Sequence, residues 1–376
     1  MKKLVHKGKS AIESTRINDW KSSFVPFVLG FVYLWIFLFD FQPTTKTFFI
    51  SLFSLLTTLG FASFGYIINE WFDIEEDKRA GKLNRFAFLS NRTKYLLLST
   101  SLVLLFFPWY FLPYDYLSFT LIGLELLSFL VYSILPFRLK RFPLLSCILD
   151  TMYAYLIPLL LSMHTFSIGV PEKLSQSNVL LLLIPIFLIG FKNILLHQVK
   201  DSIKDAFAGR KTMPHILGVE KTDKLLQILF IAEITSFAFV LQSLKAGLLL
   251  VSCYLVYVLI KTYIHKSLQI NAPFQPFTFF TLSDGFYQIW FPFIVLFLLM
   301  LHNSAWLFLV CIHLAIAAFS FQSFFLKGDF SKMIDFITHV FSLLINYLIF
   351  YFFLLFGINL KREKVSVWQY ISKKRN

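Results

Sequence analysis

The sequence predicts an all-α integral membrane protein, a bundle of many spans, and three observations carry that prediction. Hydrophobic residues make up 57% of the 376 positions and charged residues 15%, where a soluble chain carries roughly a quarter charged. The 48 phenylalanines exceed what a soluble core can hide without large exposed apolar patches. Apolar runs of about 20 residues, the length that crosses ~30 Å of hydrocarbon, recur along the chain.

Spans are read near 24–41, 47–69, 95–112, 116–136, 143–163 and 179–199, then 223–243, 247–265, 285–302, 305–326 and 335–358. The first follows a basic leader, residues 1–23, with no small-residue cleavage site, and is expected to be retained rather than removed as a signal peptide. Pro, Gln, Asn and Ser mark 164–178 and 266–284 as loops. Cys147, Cys253 and Cys311 each stand alone in apolar stretches, which leaves neither a disulfide framework nor a thiolate metal site. The net charge of +14 would point to nucleic acid in a soluble protein. Beside a bilayer it points to cytoplasmic loops and anionic headgroups, so membrane lipids are expected partners and nucleic acid is not.

Charge also sets the orientation. With the N-terminus inside, the inner segments hold 25 Lys and Arg, and the outer loops hold Lys46, Lys173 and Lys245. That asymmetry favours a cytoplasmic N-terminus, and the expected location is the bacterial inner membrane. Eleven spans put the basic tail, residues 361–376, outside. Either the span count or the tail departs from the rule.

Acids at a membrane edge are costly and therefore informative. The second span runs into Asn69-Glu70-Trp71-Phe72-Asp73-Ile74-Glu75-Glu76-Asp77. Asn69, Asp73 and Asp77 are spaced i, i+4, i+8 and share one face if the helix continues. The sixth span ends with Asp201 and Asp205 at the same spacing, and His197 and Asn193 precede them on that face. Stacked like charges repel, so a purely structural helix gains nothing from them. A hard cation between the carboxylates explains them, because Mg²⁺ takes oxygen ligands and shares them with phosphates. Basic residues follow both clusters: Lys78, Arg79, Lys82 and Arg85 after the first, Arg210 and Lys211 after the second. Acids for a metal and bases for phosphate oxygens together suit a diphosphate.

At these residues the sequence resembles the UbiA superfamily of intramembrane prenyltransferases. Its N-x-x-x-D-x-x-x-D signature is matched by Asn69, Asp73 and Asp77. Its D-x-x-x-D, extended into Gly-Lys-Thr and a later Leu-Gly, is matched by Asp201, Asp205, Gly209, Lys211, Thr212, Leu217 and Gly218. The stretch from Tyr132 to Lys140 is similar to the Tyr-Ser-x-x-Pro-x-x-x-Lys of members that prenylate quinone precursors and chlorophyllide. Differences are Glu70, where the family usually has Asp, and Phe86, where many members have Pro.

The resemblance implies a nine-helix bundle over residues 24–303, two additional helices over 304–360, and a basic tail over 361–376. It implies Mg²⁺ held by Asn69, Asp73, Asp77, Asp201 and Asp205, with the four aspartates catalytic. Lys82, Arg85, Lys200, Arg210, Lys211, Tyr132 and Lys140 are the expected substrate contacts. The implied reaction joins the isoprenyl group of a prenyl diphosphate to an acceptor of aromatic or quinone-precursor type. A second reading is a polyprenyl-phosphate phosphoribosyl or sugar transferase of the same superfamily, and a third a transporter with acids along an ion path. The acids lie at one membrane face with no discontinuous-helix repeat, which argues against transport.

Other polar residues in the spans carry weaker expectations. Asp150, Glu125 and Glu233 could face a cavity or bond between helices. Lys192 could snorkel to the interface, and His197 reads more simply as packing than as a base. Asp284 suits the start of a helix. His302, His313 and His339 form no ligand spacing.

Overall fold

Among the described residues, helices form where the apolar runs predict them. The computed structural model describes residues 24–79, 81, 83–168, 176–207, 209–242, 249–250, 252–256 and 286–326, and among these no strand occurs. The expected span at 335–358, most of that at 247–265, Lys82 and the basic tail lie outside the described residues. The helices are α1 (Phe24–Leu38), α2 (Thr45–Phe72), α3 (Ile74–Arg79), α4 (Asn91–Phe106) and α5 (Tyr116–Ser133). They continue as α6 (Pro143–Ser167), then α7 (Gln176–Phe207), α8 (Met213–Gln242), α9 (Phe291–His302) and α10 (Leu307–Leu326). The chain divides after Ser323 into two units, and everything below concerns the first.

Four stretches are long and apolar enough to cross a bilayer unaided: Thr45–Phe72, Tyr116–Ser133, Pro143–Ser167 and Leu182–Ser202. α1 and α9 are shorter apolar helices. In α1 every residue from Val25 to Ile36 is buried, so this helix is wrapped by neighbours on all sides. A helix apolar all round belongs in such a place.

Without a hydrophobic drive between helices in lipid, close approach depends on small residues. α2 meets α4 at Gly60, where a Cβ would lie 2.5 Å from the Leu105 backbone nitrogen. Further along α2, a Cβ at Gly65 would lie 2.3 Å from a ring carbon of Phe129 on α5. α2 begins with a capping box between Thr44 and Thr47, and α5 with one between Asp115 and Ser118.

Proline accounts for two local departures. α6 widens into a π turn at Met152–Leu156, and Phe286–Trp290 does the same before α9. Pro158 and Pro292 follow each turn by two residues. A proline ring clashes with the carbonyl four residues earlier, here at positions 154 and 288, and the wider turn accommodates that clash. In α6 the consequence is functional, because the turn carries Tyr153, Ala154 and Tyr155 to a cavity wall.

α7 and α8 form an antiparallel hairpin. Lys192 on α7 and Glu233 on α8 are completely buried and ion-paired to each other. Tyr254 donates to the other Glu233 oxygen at 3.4 Å. Lys192 therefore does not snorkel, because a buried carboxylate partner removes the reason to reach water. Glu125 is buried with no hydrogen-bond partner for either oxygen among the described residues.

Candidate active site

The Asn69–Asp77 pattern survives as helix geometry. α2 ends at Phe72, but the Asp73 amide bonds the Asn69 carbonyl at 3.0 Å and the Asp77 amide bonds the Asp73 carbonyl at 2.8 Å. The turn is nearly unbroken, and Asn69, Asp73 and Asp77 share a face as their spacing predicts. On α7, Asn193, His197, Asp201 and Asp205 share another. Both faces line one cavity of about 850 Å³, within the size range of small-molecule sites.

The loop after α7 is shaped by glycine. Gly209 takes φ +67, while the Arg210 amide bonds the Asp205 carbonyl at 2.9 Å and the Gly209 amide bonds Ala206 at 3.0 Å. That pairing is a Schellman cap, which needs a left-handed residue where Gly209 stands. It delivers Arg210 beside the cap and across the cavity to the first motif. The Gln198 side chain anchors the far side of the loop by accepting from the Met213 amide at 3.1 Å.

Three cations meet three acids at the cavity mouth. Arg210 Nη2 lies 3.3 Å from Asp73, 3.2 Å from Glu76 and 3.4 Å from Asp77. Arg138 Nη2 lies 3.2 Å from Asp73 and 2.9 Å from Glu76. Lys140 pairs with Asp73 and donates to the Asn69 amide oxygen at 3.0 Å. Asn84 donates to Asp77 at 3.0 Å and to the Glu70 carbonyl at 2.9 Å, which pins the segment after α3 to the end of α2. Arg138 adopts left-handed backbone, φ 37, a strain of about 1 kcal/mol or more that its two carboxylate contacts offset.

Burial lowers the Lys140 pKa and is opposed by the Asp73 carboxylate. For Arg210 burial also acts downward, but Asp73, Glu76, Asp77 and Asp205 outweigh it and the pKa rises. The Nε–H groups of Arg138 and Arg210 are buried with no hydrogen-bond partner among the described residues. Each guanidinium thus keeps a donor for an anion.

Away from the mouth the wall turns aromatic and apolar, with Tyr66, Phe129, Tyr132, Tyr153, Tyr155 and Ile194. Asp150 faces this part of the cavity. Tyr132 donates to its Oδ2 at 3.2 Å, and Tyr153 donates to Oδ1.

Of the residues expected from sequence, Asn69, Asp73, Asp77, Arg85, Tyr132, Lys140, Asp201, Asp205 and Arg210 line the cavity. Lys200 and Lys211 are exposed and do not line it. His197 is not a packing residue, since it lines the cavity with Nδ1 3.4 Å from Asp201. Sequence reasoning missed Glu76, Asn84 and Arg138. Glu76 and Arg138 stood inside motifs already noted, one helical turn or two residues from the residues selected.

Among the described residues no three acidic, histidine or cysteine side chains are already gathered as a metal cage. The donors on the two facing helices are nonetheless all hard oxygens, four aspartates and an asparagine amide, and suit Mg²⁺ better than a softer metal. A site for Mg²⁺ need not be a closed cage, because this ion keeps waters and completes its shell with substrate phosphates.

An all-α bundle of apolar helices around a cavity lined by acids, bases and aromatic residues defines an integral membrane protein with one large internal site. Residues 23–286 match the UbiA prenyltransferase family, and the chain belongs to that family of transferases. Among solved structures, a UbiA homologue from Archaeoglobus fulgidus bound to GPP and Mg²⁺ aligns with a TM-score of 0.55 at 20% identity, over 76% of this chain and 99% of its own. A UbiA homologue from the same organism bound to DMAPP and Mg²⁺ aligns at 0.54 and 18% identity, over 76% and 98%. The apo UbiA homologue from Aeropyrum pernix K1 aligns at 0.54 and 15% identity, over 73% and 98%. At these identities the likeness establishes the fold. No curated protein matches the sequence.

Proposed function

We propose that this protein transfers an isoprenyl group from a prenyl diphosphate to an acceptor of aromatic or quinone-precursor type, with Mg²⁺ as cofactor. One observation carries the reading: both aspartate pairs and the cations Lys140 and Arg210 line a single cavity whose interior is aromatic. A prenyl diphosphate has the matching shape, a multiply charged anionic head on an apolar tail. The solved relatives bound to GPP or DMAPP with Mg²⁺ support the same donor class.

In this reading Asp73, Asp77, Asp201 and Asp205 hold the metal, with Asn69 beside them. Bound there, Mg²⁺ supplies Lewis acidity that offsets charge on the departing diphosphate. Arg210, Lys140 and Arg85 meet the diphosphate oxygens, and Lys82, outside the described residues, is expected to join them. Arg210 and Lys140 then exchange carboxylate partners for phosphate ones, and the free Nε–H of Arg210 adds a donor in fork geometry. Tyr66, Phe129 and Tyr155 enclose the tail, exclude water and offer π faces to positive charge on the allylic carbon.

The proposal keeps the transferase core at residues 24–303, with 304–360 and 361–376 as additions. It also keeps both motifs and the N-terminus on the cytoplasmic side of a bacterial inner membrane. A cysteine at Ser90 should resist labelling from outside intact cells, and ready labelling would reverse the orientation.

The test is Mg²⁺-dependent release of inorganic diphosphate from GPP by purified protein, together with transfer of labelled isoprenyl into a membrane lipid extract. Release from phosphoribosyl diphosphate, with GPP ignored, would overturn this reading in favour of sugar transfer to a polyprenyl phosphate.

A further inference from the structure

We infer that Asp150, acting through Tyr132 and Tyr153, positions the acceptor, and that the group it positions is a hydrogen-bond donor on the acceptor. The inference rests on the proposed prenyl transfer and adds a residue and a recognition rule to it.

Asp150 receives the hydroxyl hydrogens of both tyrosines, Tyr132 on Oδ2 at 3.2 Å and Tyr153 on Oδ1. A phenol has one proton and two lone pairs. With both protons committed to Asp150, the two phenol oxygens can offer only lone pairs to anything entering the cavity. Tyr132 lies 3.4 Å from the Ser146 hydroxyl, a group that can supply one such donor from the protein side. All three members of the cluster line the cavity and are partly buried, so a ligand can reach them. Without Asp150 each tyrosine hydroxyl could rotate and present either a donor or an acceptor. The carboxylate therefore fixes the polarity of the subsite.

Its place in the cavity suits an acceptor. The residue after Tyr132, Ser133, donates to the Asn69 amide oxygen at 3.4 Å, and Lys140, further along the same segment, reaches Asn69 and Asp73. One short segment thus ties the Asp150 cluster to the end of the cavity assigned to the diphosphate. An acceptor hydroxyl held by the tyrosine oxygens would lie on the apolar side of that junction, next to the bond that must break. Asp150 touches neither the metal nor the diphosphate in this arrangement and is a positioning residue.

The experiment uses the purified full chain with GPP, Mg²⁺ and a panel of monocyclic and bicyclic hydroxylated aromatic acceptors, each paired with its O-methyl ether. The wild type should prenylate hydroxylated members and discriminate against their ethers by about tenfold or more, the worth of one hydrogen bond to a charge-polarised group. Asp150→Asn should raise the acceptor KM by about tenfold and shrink that discrimination, while the Kd for GPP changes less than about twofold. Asp150→Glu should recover part of the discrimination, which a purely structural role would not predict. Should Asp150→Asn fail to fold in detergent, Tyr153→Phe provides the same comparison with a milder change. Equal use of hydroxylated and O-methyl acceptors, or an Asp150→Asn enzyme with unchanged acceptor KM, overturns the inference and leaves donor chemistry intact. Prenylation of none of the hydroxylated panel, with GPP still consumed, also overturns it. Failure to consume GPP at all instead removes the proposed function on which it rests.

Discussion

Replacing Arg210 with alanine probes the junction between the two acidic motifs. A single guanidinium nitrogen of Arg210 reaches Asp73, Glu76 and Asp77 at 3.2–3.4 Å, and its Nε–H has no hydrogen-bond partner among the described residues. Hydrogen bonds to charged groups contribute about 1.5–3 kcal/mol each. The side chain is 29% exposed and shared among three acids, so the lower end applies, about 1.5 kcal/mol, or roughly tenfold in affinity. Arg210→Ala should therefore weaken Mg²⁺-dependent binding of prenyl diphosphates about tenfold. The loss should be the same for donors of two, three and four isoprene units, because the diphosphate is common to them. In the absence of donor, Mg²⁺ should bind the variant more tightly than the wild type, since a competing cation has left Asp73 and Asp77. Calorimetric titration of metal alone, and of each donor with metal, reads both signs. A loss that grows with chain length, or weaker binding of metal alone, would refute the assignment of Arg210 to the diphosphate.

Other expectations follow from the same structure. Asp73→Asn and Asp201→Asn should each lose most Mg²⁺-dependent turnover while keeping a monodisperse, helical protein in detergent, as activity and circular dichroism together would register. Gly60→Ala places a methyl against the Leu105 backbone, which cannot rotate away, and should cost about 1–3 kcal/mol of stability, measured as a lower unfolding temperature. Asp115 caps α5 and contacts His164 at 2.8 Å. Burial works against its ionisation, but hydrogen bonds from His164 and Ser118 prevail and lower its pKa from 3.8. A lowered carboxyl pKa contributes stability above the unfolded value of 3.8 and loses it as pH falls through the folded value. Asp115→Ala should then destabilise the protein at neutral pH by about 1 kcal/mol from the lost cap, read as a lower unfolding temperature, and the gap from wild type should close below that range.

Local geometry was legible in the sequence, and packing across long separations was not. Asn69, Asp73 and Asp77 could be placed on one face because i+4 spacing fixes direction on a helix, and the chain keeps helical hydrogen bonds through Asp73. Gly209 stands in the stretch that resembles the family, and its positive φ supplies the physical reason for a glycine there. Arg138 was different. Its contacts with Asp73 and Glu76 span more than sixty residues of chain and depend on a left-handed backbone that no spacing announces. Spacing leaves Asp150 open between cavity and helix contact, because which side of α6 meets the cavity depends on packing against helices distant in sequence. Lys192 looked free to snorkel because its partner Glu233 lies on another helix. The exposure of Lys200 and Lys211 is of the same kind, since basic residues beside a motif need not turn toward it.

The central claim is that both aspartate pairs serve one metal–diphosphate site at the mouth of the cavity. The most direct measurement is an experimental structure of this chain with GPP and Mn²⁺ in place of Mg²⁺, using anomalous scattering to locate the metal. The account predicts manganese between the Asp73–Asp77 and Asp201–Asp205 pairs, the diphosphate against Arg210 and Lys140, and the tail among Tyr66, Phe129 and Tyr155. Manganese away from both pairs, or a diphosphate bound outside this cavity, would contradict it.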